Sequence, residues 1–111
     1  MADVLSSAEI AAALRALRCP TDCTFDRLLP EALRVVSGEY WTPLRVAVRA
    51  ACWLEDVGVR SVVDIGAGVG KFCVVAALAS NCRFVGLEQR RWLVEAVCGR
   101  WRRSDAVMST W

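Results

Sequence analysis

Three glycines at alternate positions, Gly66, Gly68 and Gly70, are the residues of this sequence best suited to binding a ligand. They follow a β-branched apolar run that contains Asp64, and an apolar segment of helical length comes after them. Glycine lets the backbone approach a ligand closely, and a helix N-terminus presents N–H groups and a partial positive charge. In open α/β sheets such a turn lies at the carboxyl ends of the strands, where ligands bind. The pattern therefore predicts a ligand site at this turn.

The spacing of the glycines distinguishes three classes of ligand. A triphosphate-binding loop requires a glycine where this sequence has Ile65 and a hydroxyl residue where it has Phe72, so that class is rejected. A dinucleotide site requires a third glycine or alanine where this chain has Lys71, which disfavours that class without excluding it. The third pattern is an acid followed by Gly-x-Gly-x-Gly, with a second acid at the end of the next strand. Glu88 stands in that second position.

The segment from Val62 to Glu88 resembles the cofactor-binding motif of class I S-adenosylmethionine-dependent methyltransferases. The helix that starts at Thr42-Pro43 resembles the helix that commonly precedes this motif in the family. The resemblance covers about residues 40 to 100 and implies S-adenosyl-L-methionine as the cofactor. It also implies that the family's catalytic motif, which usually lies at the end of a fourth strand, is missing from this chain.

Carried onto this sequence, the resemblance implies that Asp64 lies by the methionine end of the cofactor and that Glu88 accepts hydrogen bonds from both ribose hydroxyls. A carboxylate suits the second task because its two oxygens match two adjacent donors. Gln89 is implied to lie near the adenine. The cofactor-binding residues implied in this way are Asp64, Gly66, Ala67, Gly68, Gly70, Glu88 and Gln89. Each also has a structural interpretation, since the glycines can serve the turn alone, Asp64 can cap the loop and Glu88 can be an ordinary strand end.

Apolar periodicity and capping residues place this turn within an α/β fold, a Rossmann-like parallel sheet unit of strand–helix–strand–helix preceded by about three helices. The helices and strands are predicted, in order, at 7–18, 25–36, 43–57, 62–65, 69–79, 82–87 and 92–101. Pro30 allows the second helix to start there instead, and Ser37-Gly38 is expected to end it. We divide the chain into a helical lead-in (1–58), a cofactor-binding α/β unit (59–103) and a polar tail (104–111).

The first strand is expected to be central and covered on both faces, as its β-branched run suggests. The aromatic pair Tyr40 and Trp41 is expected to pack as core rather than to cover a ligand. Two strands are few for a parallel sheet, which is normally built from several strands with both faces covered. We therefore expect a truncated class I methyltransferase fold that depends on a partner chain or on self-association.

Composition excludes several other functions. The 111 residues suffice for one domain, and a net charge of +2 gives no sign of nucleic-acid binding. No histidine is present, which excludes histidine-based zinc sites and catalytic triads within these residues. The six cysteines include one closely spaced pair, Cys19 and Cys23, without a second pair, so no metal site is predicted. No signal peptide and no apolar stretch of membrane-spanning length is found, and we expect a cytoplasmic protein.

Three functions follow from the sequence. The first is an S-adenosylmethionine-dependent methyltransferase, or its cofactor-binding fragment, with an acceptor substrate and catalytic residues that the sequence does not name. The second is an inactive remnant or interaction module that needs a partner chain. The third and weaker one is a nicotinamide-dinucleotide-binding unit.

Overall fold

The structure is a computed structural model that describes residues 5–97 and 106–111. Within those residues the fold is mixed α/β, with six helices and one parallel sheet of three strands, compatible with a Rossmann-like unit. The elements are α1 (Ser7–Arg15), α2 (Asp22–Asp26), α3 (Glu31–Tyr40), α4 (Leu44–Asp56), β1 (Ser61–Ile65), α5 (Lys71–Leu78), β2 (Arg83–Glu88), α6 (Arg91–Val97) and β3 (Ala106–Thr110). No helix in the described ranges is both long and apolar enough to cross a membrane.

The first helix begins at a capping box. The Ser6 hydroxyl accepts a hydrogen bond from the Glu9 N–H, and the Glu9 carboxylate accepts one from the Ser6 N–H, both at 3.2 Å. Ile10 and Leu14 are fully buried, as their spacing predicts. The helix ends at Arg15, earlier than predicted, and Leu17 is 58% exposed instead of packing beside them. The reason is local, because Leu17 has a φ of 58° and so has left the helix.

The predicted second helix is two helices. Thr21 begins the short α2 by accepting a hydrogen bond from the Thr24 N–H at 3.1 Å. The alternative start at Pro30-Glu31 is confirmed, but Pro30 is the flanking residue and not the first helical one, since α3 begins at Glu31. The predicted end at Ser37-Gly38 is wrong: α3 runs through both residues, and the chain leaves the helix only at Trp41, which is extended.

The start of α4 depends on a residue from another helix. The sequence predicts Thr42 as the cap and Pro43 as the first helical residue, whereas Pro43 is the flanking residue and helix α4 begins at Leu44. The Leu44 N–H donates to Asp22 Oδ1 at 2.9 Å, so a carboxylate of α2 caps α4. The predicted helix end at Gly58 is confirmed by its left-handed φ of 84°.

The helix after the glycines, α5, is buried nearly all round, as its composition predicts. Seven of its eight residues are buried, and α4 and α1 pack against it. The Phe72 ring meets the ring of Phe84 on β2 edge to face, with centroids 5.8 Å apart. This helix therefore joins the lead-in helices to the sheet and fixes the position of the loop that precedes it.

The sheet is parallel, with the strands in the order β1, β2, β3. Val63, Val85 and Val107 lie side by side in register. Side chains alternate between faces, and Phe84 and Glu88 lie on the face that the described helices cover. The opposite face is open, and Val63 is 59% exposed. The prediction of a central β1 covered on both faces is wrong, because β1 is an edge of the described sheet and the described helices lie on one face only.

The third strand replaces much of the predicted polar tail and overturns the expectation of two strands. Residues 106–110 form β3, which pairs with β2, while 104 and 105 lie outside the described residues. The Met108 thioether packs where side chains at Gly70 and Gly86 would otherwise lie. In the predicted last helix, Leu93 is buried, Trp92 is 58% exposed, and Trp101 falls outside the described residues.

Candidate ligand site at the glycine loop

The loop between β1 and α5 requires its glycines. Gly66, Gly68 and Gly70 have φ values of 78°, 62° and 81°, in the left-handed region that side chains disfavour. The N–H groups of Gly66 and Ala67 both donate to the Leu87 carbonyl, at 2.8 and 3.0 Å, which ties the loop to the end of β2. The Gly70 N–H closes a turn onto the Ala67 carbonyl at 2.9 Å. The alternate spacing of the glycines thus has a conformational cause, whether or not a ligand binds.

Glu88 and the glycine loop meet, as the sequence predicts. The Glu88 side chain is only 3% exposed, and its Oε1 accepts a hydrogen bond from the Gly68 N–H at 2.8 Å. Its Oε2 accepts from the Arg90 N–H at 2.8 Å and from Arg90 Nε at 3.0 Å. The Arg90 side chain, aided by these two N–H groups and opposed by burial, lowers the pKa of Glu88 to about 2. An ionised, largely desolvated carboxylate therefore lies against the middle glycine.

Asp64 is half-buried on the same face of the sheet. It lies opposite Gly86 in the β1–β2 register, two residues from Glu88 along β2. Burial raises the pKa of Asp64, although a hydrogen bond from the Cys73 thiol, with Sγ 3.7 Å from Oδ2, opposes the rise. Burial and the Asp64 charge raise the pKa of Cys73 to about 12, so this thiol is protonated and unreactive.

The two remaining predicted site residues differ in environment. Ala67 is 7% exposed, and its Cβ packs against the backbone of Gly86. Gln89 is exposed at the end of β2, next to the buried Glu88. Both residues therefore lie at the carboxyl end of the sheet with the rest of the loop, but only Gln89 presents its side chain to solvent.

A tryptophan contacts the loop, which the sequence prediction missed. A Cβ built on Gly68 would lie 2.5 Å from Trp41 Nε1, so the indole fills the space that glycine leaves. Trp41 is half-buried and packs against the cluster that contains Val69 and Leu93, so it serves the core and borders the loop at once. Tyr40, expected in the core with it, is 74% exposed. The sequence held one usable indication, which is that this aromatic pair directly precedes the helix resembling the family's lead-in helix.

Behind the loop lies a partly buried charge cluster, which we call the Lys71 cluster: Lys71, Asp22, Asp26 and Ser37. The Lys71 ammonium, on a residue 2% exposed, lies 2.9 Å from Asp22 Oδ1, 3.1 Å from Asp26 Oδ1 and 3.0 Å from Ser37 Oγ. The Ser37 hydroxyl donates to Asp26 Oδ1 at 2.9 Å. Burial opposes ionisation of Asp22, but the Lys71 ammonium and the Leu44 N–H lower its pKa overall. The first residue of α5 is thus bonded to both α2 and α3.

The Lys71 cluster could have been anticipated in part. Lys71 is the only lysine of the chain, and it begins a helix that is otherwise apolar, so its charge has to be paired when that helix is buried. The identity of the partners could not be read, because Asp22, Asp26 and Ser37 lie 34 or more residues earlier and several other acids were available.

The cysteines supply no alternative site in the described part of the chain. Cys19 and Cys23 are exposed, Cys52 is partly buried, and Cys73 and Cys82 are buried, all as free thiols. Cys98 lies outside the described residues. Within the described ranges, no group of three or more His, Cys, Asp or Glu residues could hold a metal ion.

No protein-family model matches the sequence, and no curated protein matches it. The loop, Glu88 and the residues packed around them are therefore the basis for proposing a function.

Proposed function

We propose that this chain binds S-adenosyl-L-methionine at the glycine loop, as the cofactor-binding part of a methyltransferase. The supporting observation is the ionised Glu88 carboxylate, 3% exposed and bonded to the Gly68 N–H at 2.8 Å at the carboxyl end of β2. A desolvated carboxylate is a strong acceptor for two adjacent hydroxyl donors, such as those of a ribose. Gly66 leaves the backbone open at the start of the loop, with no atom near the position of its missing Cβ, which suits close approach of the cofactor. The spaces beside Gly68 and Gly70 are filled by Trp41 and Met108.

The charges around the loop favour this cofactor over a dinucleotide. The cofactor has a cationic sulfonium and an ammonium group, whereas a dinucleotide brings an anionic pyrophosphate. Glu88 and Asp64 place two carboxyl groups on this face of the sheet, and Glu88 already occupies the Gly68 N–H that could otherwise meet a phosphate. Under this proposal Asp64 lies toward the ammonium and Gln89 toward the adenine. When bound, the cofactor would supply an activated methyl group, and this chain's residues would bind and orient it.

The test is calorimetric titration of the folded chain with S-adenosylhomocysteine, with NAD as a competitor. Glu88→Ala should weaken binding at least tenfold, because two hydrogen bonds to a charged group are lost. Glu88→Gln, which keeps the shape, should weaken it as well. Glu95→Ala, which removes an exposed acid from α6, is the matched control and should leave affinity unchanged. Absence of binding by a chain shown to be folded would refute the proposal, and binding of NAD alone would favour the dinucleotide class.

A second function is favoured by the open face of the sheet. Its apolar side chains include Val63, Ile65 and Val107, which are 59%, 74% and 56% exposed. Faces of parallel sheets are normally covered by helices, and large exposed apolar patches mark interaction sites. We propose that this face binds a partner chain or a second copy of the protein.

Light scattering over a range of concentrations tests this second proposal. Self-association should be lost when Val63 and Val107 are both replaced by threonine, which keeps β-branching while adding a hydroxyl. If a partner chain is required instead, the isolated protein should be poorly soluble and should become stable on co-expression with it. A monomer that melts cooperatively at every concentration would contradict the proposal.

A further inference from the structure

The partner of Glu88 that no sequence argument selected is Arg90. Its guanidinium contacts both carboxylate oxygens, with Nε 3.0 Å from Oε2 and Nη2 3.4 Å from Oε1. The two partners differ in freedom, since the Arg90 side chain is 59% exposed and the Glu88 side chain 3% exposed. The surroundings of the carboxylate therefore hold it in place, while the guanidinium, already mostly in solvent, can turn away from it.

The acceptor sites of Glu88 are divided between two kinds of donor. A carboxylate offers about four acceptor sites. The N–H groups of Gly68 and Arg90 take two of them, and both belong to backbone held by the loop and by the turn before α6. The Arg90 guanidinium takes the other two. These last two sites are the ones that a pair of vicinal hydroxyls would need.

We propose that Arg90 is an internal competitor for the Glu88 site, which a ribose must displace in order to bind. The inference rests on the proposed cofactor function and adds a residue that sets the affinity of that site. Binding then exchanges guanidinium–carboxylate hydrogen bonds for hydroxyl–carboxylate hydrogen bonds and returns the guanidinium to water. Because the Arg90 side chain is 59% exposed, water already competes for its guanidinium, and removing it should strengthen binding about fivefold.

The experiment compares S-adenosylhomocysteine affinity for the unchanged chain, Arg90→Ala and Arg91→Ala by calorimetry at low salt. Arg90→Ala keeps the backbone N–H that donates to Glu88 Oε2, so only the side-chain competitor is lost. Arg91, the exposed first residue of α6, is the matched control, since its replacement removes the same charge one position away. We expect about fivefold tighter binding for Arg90→Ala and no change for Arg91→Ala. Thermal melts establish that each variant is folded.

Salt supplies an independent readout. An ion pair with one exposed partner is partly screened by added salt. The unchanged chain should therefore bind more tightly as ionic strength rises, moving toward Arg90→Ala, whose affinity should stay nearly constant. Equal affinities for all three folded chains, or weaker binding by Arg90→Ala, would overturn the competitor role and leave the cofactor proposal standing. Failure of all three folded chains to bind would overturn the cofactor proposal, and the competitor role with it.

Discussion

Replacing Lys71 by methionine tests how much the Lys71 cluster contributes to stability. Methionine has a similar length and suits the apolar surroundings of α5, so the change removes the charge and little of the packing. It leaves Asp22 and Asp26 without the ammonium that lies 2.9 and 3.1 Å from them. It also removes the cation that lies over the Phe25 ring, 5.9 Å from the centroid.

The magnitude follows from the exposure of the two acids. Breaking a buried ion pair by removing one partner costs about 3 to 5 kcal/mol. The Asp22 side chain is 43% exposed and can be rehydrated, whereas that of Asp26 is 14% exposed and keeps mainly the Ser37 hydroxyl. We therefore expect about 3 kcal/mol of lost unfolding free energy, the low end of that range. Asp26→Asn made in the Lys71→Met chain should recover about 1 to 2 kcal/mol of it, because the less hydrated uncompensated charge is then gone.

Urea denaturation followed by circular dichroism at neutral pH measures these differences, provided that the dependence on urea concentration keeps its slope. Arg45→Met, which removes an exposed cation from α4, is the control and should change stability by less than about 0.5 kcal/mol. A loss below about 1 kcal/mol for Lys71→Met, or strictly additive effects of Lys71→Met and Asp26→Asn, would show that the cluster does not hold the lead-in helices to α5.

Three further predictions concern the loop, its pH dependence and the first helix. Gly68→Ala should lower the unfolding free energy measured in urea by about 1 to 3 kcal/mol, because φ is 62° and the new Cβ would meet the Trp41 indole. The control is Gly38→Ala, in open space within α3, which should raise the unfolding free energy by up to about 1 kcal/mol. Glu88 has a pKa lowered from 4.5 to about 2, so its contribution to stability is complete above pH 4.5 and is lost as the pH falls toward 2. Glu88→Gln should make the unfolding free energy depend less on pH between 4.5 and 2. An unchanged pH dependence would show that Glu88 is not its cause. Ser6→Ala should lower stability by about 1 kcal/mol by thermal melting, through loss of the capping box, and no loss would show that α1 does not need it.

The elements that were predicted correctly are those whose sequence signals lie close together along the chain. The strand, the alternate glycines and the apolar helix α5 occupy one continuous stretch, and the left-handed φ of each glycine explains the spacing. The meeting of Glu88 with Gly68 was also predictable, because parallel pairing brings the carboxyl ends of neighbouring strands to one edge of the sheet.

The errors arose where distant residues decide the outcome. Helix α4 begins at Leu44 because Asp22 caps it from α2, a contact that no local pattern encodes. Strand β3 is short, and its pairing with β2 brings Met108 against Gly70 and Gly86, which lie more than twenty residues earlier in the sequence. The openness of β1 could not be read from its sequence, since a β-branched run looks the same at an edge and at the centre.

The Lys71 cluster also bears on how the chain folds. Its members come from both sides of the boundary near Gly58, and so does the core cluster that contains Ile10, Phe25 and Val75. Contacts this far apart in sequence form only after a large loop has closed. The α/β segment by itself would expose the apolar surface of α5 and leave its one lysine unpaired. The boundary therefore separates two stretches of sequence, while the elements on either side of it belong to one cooperative folding unit.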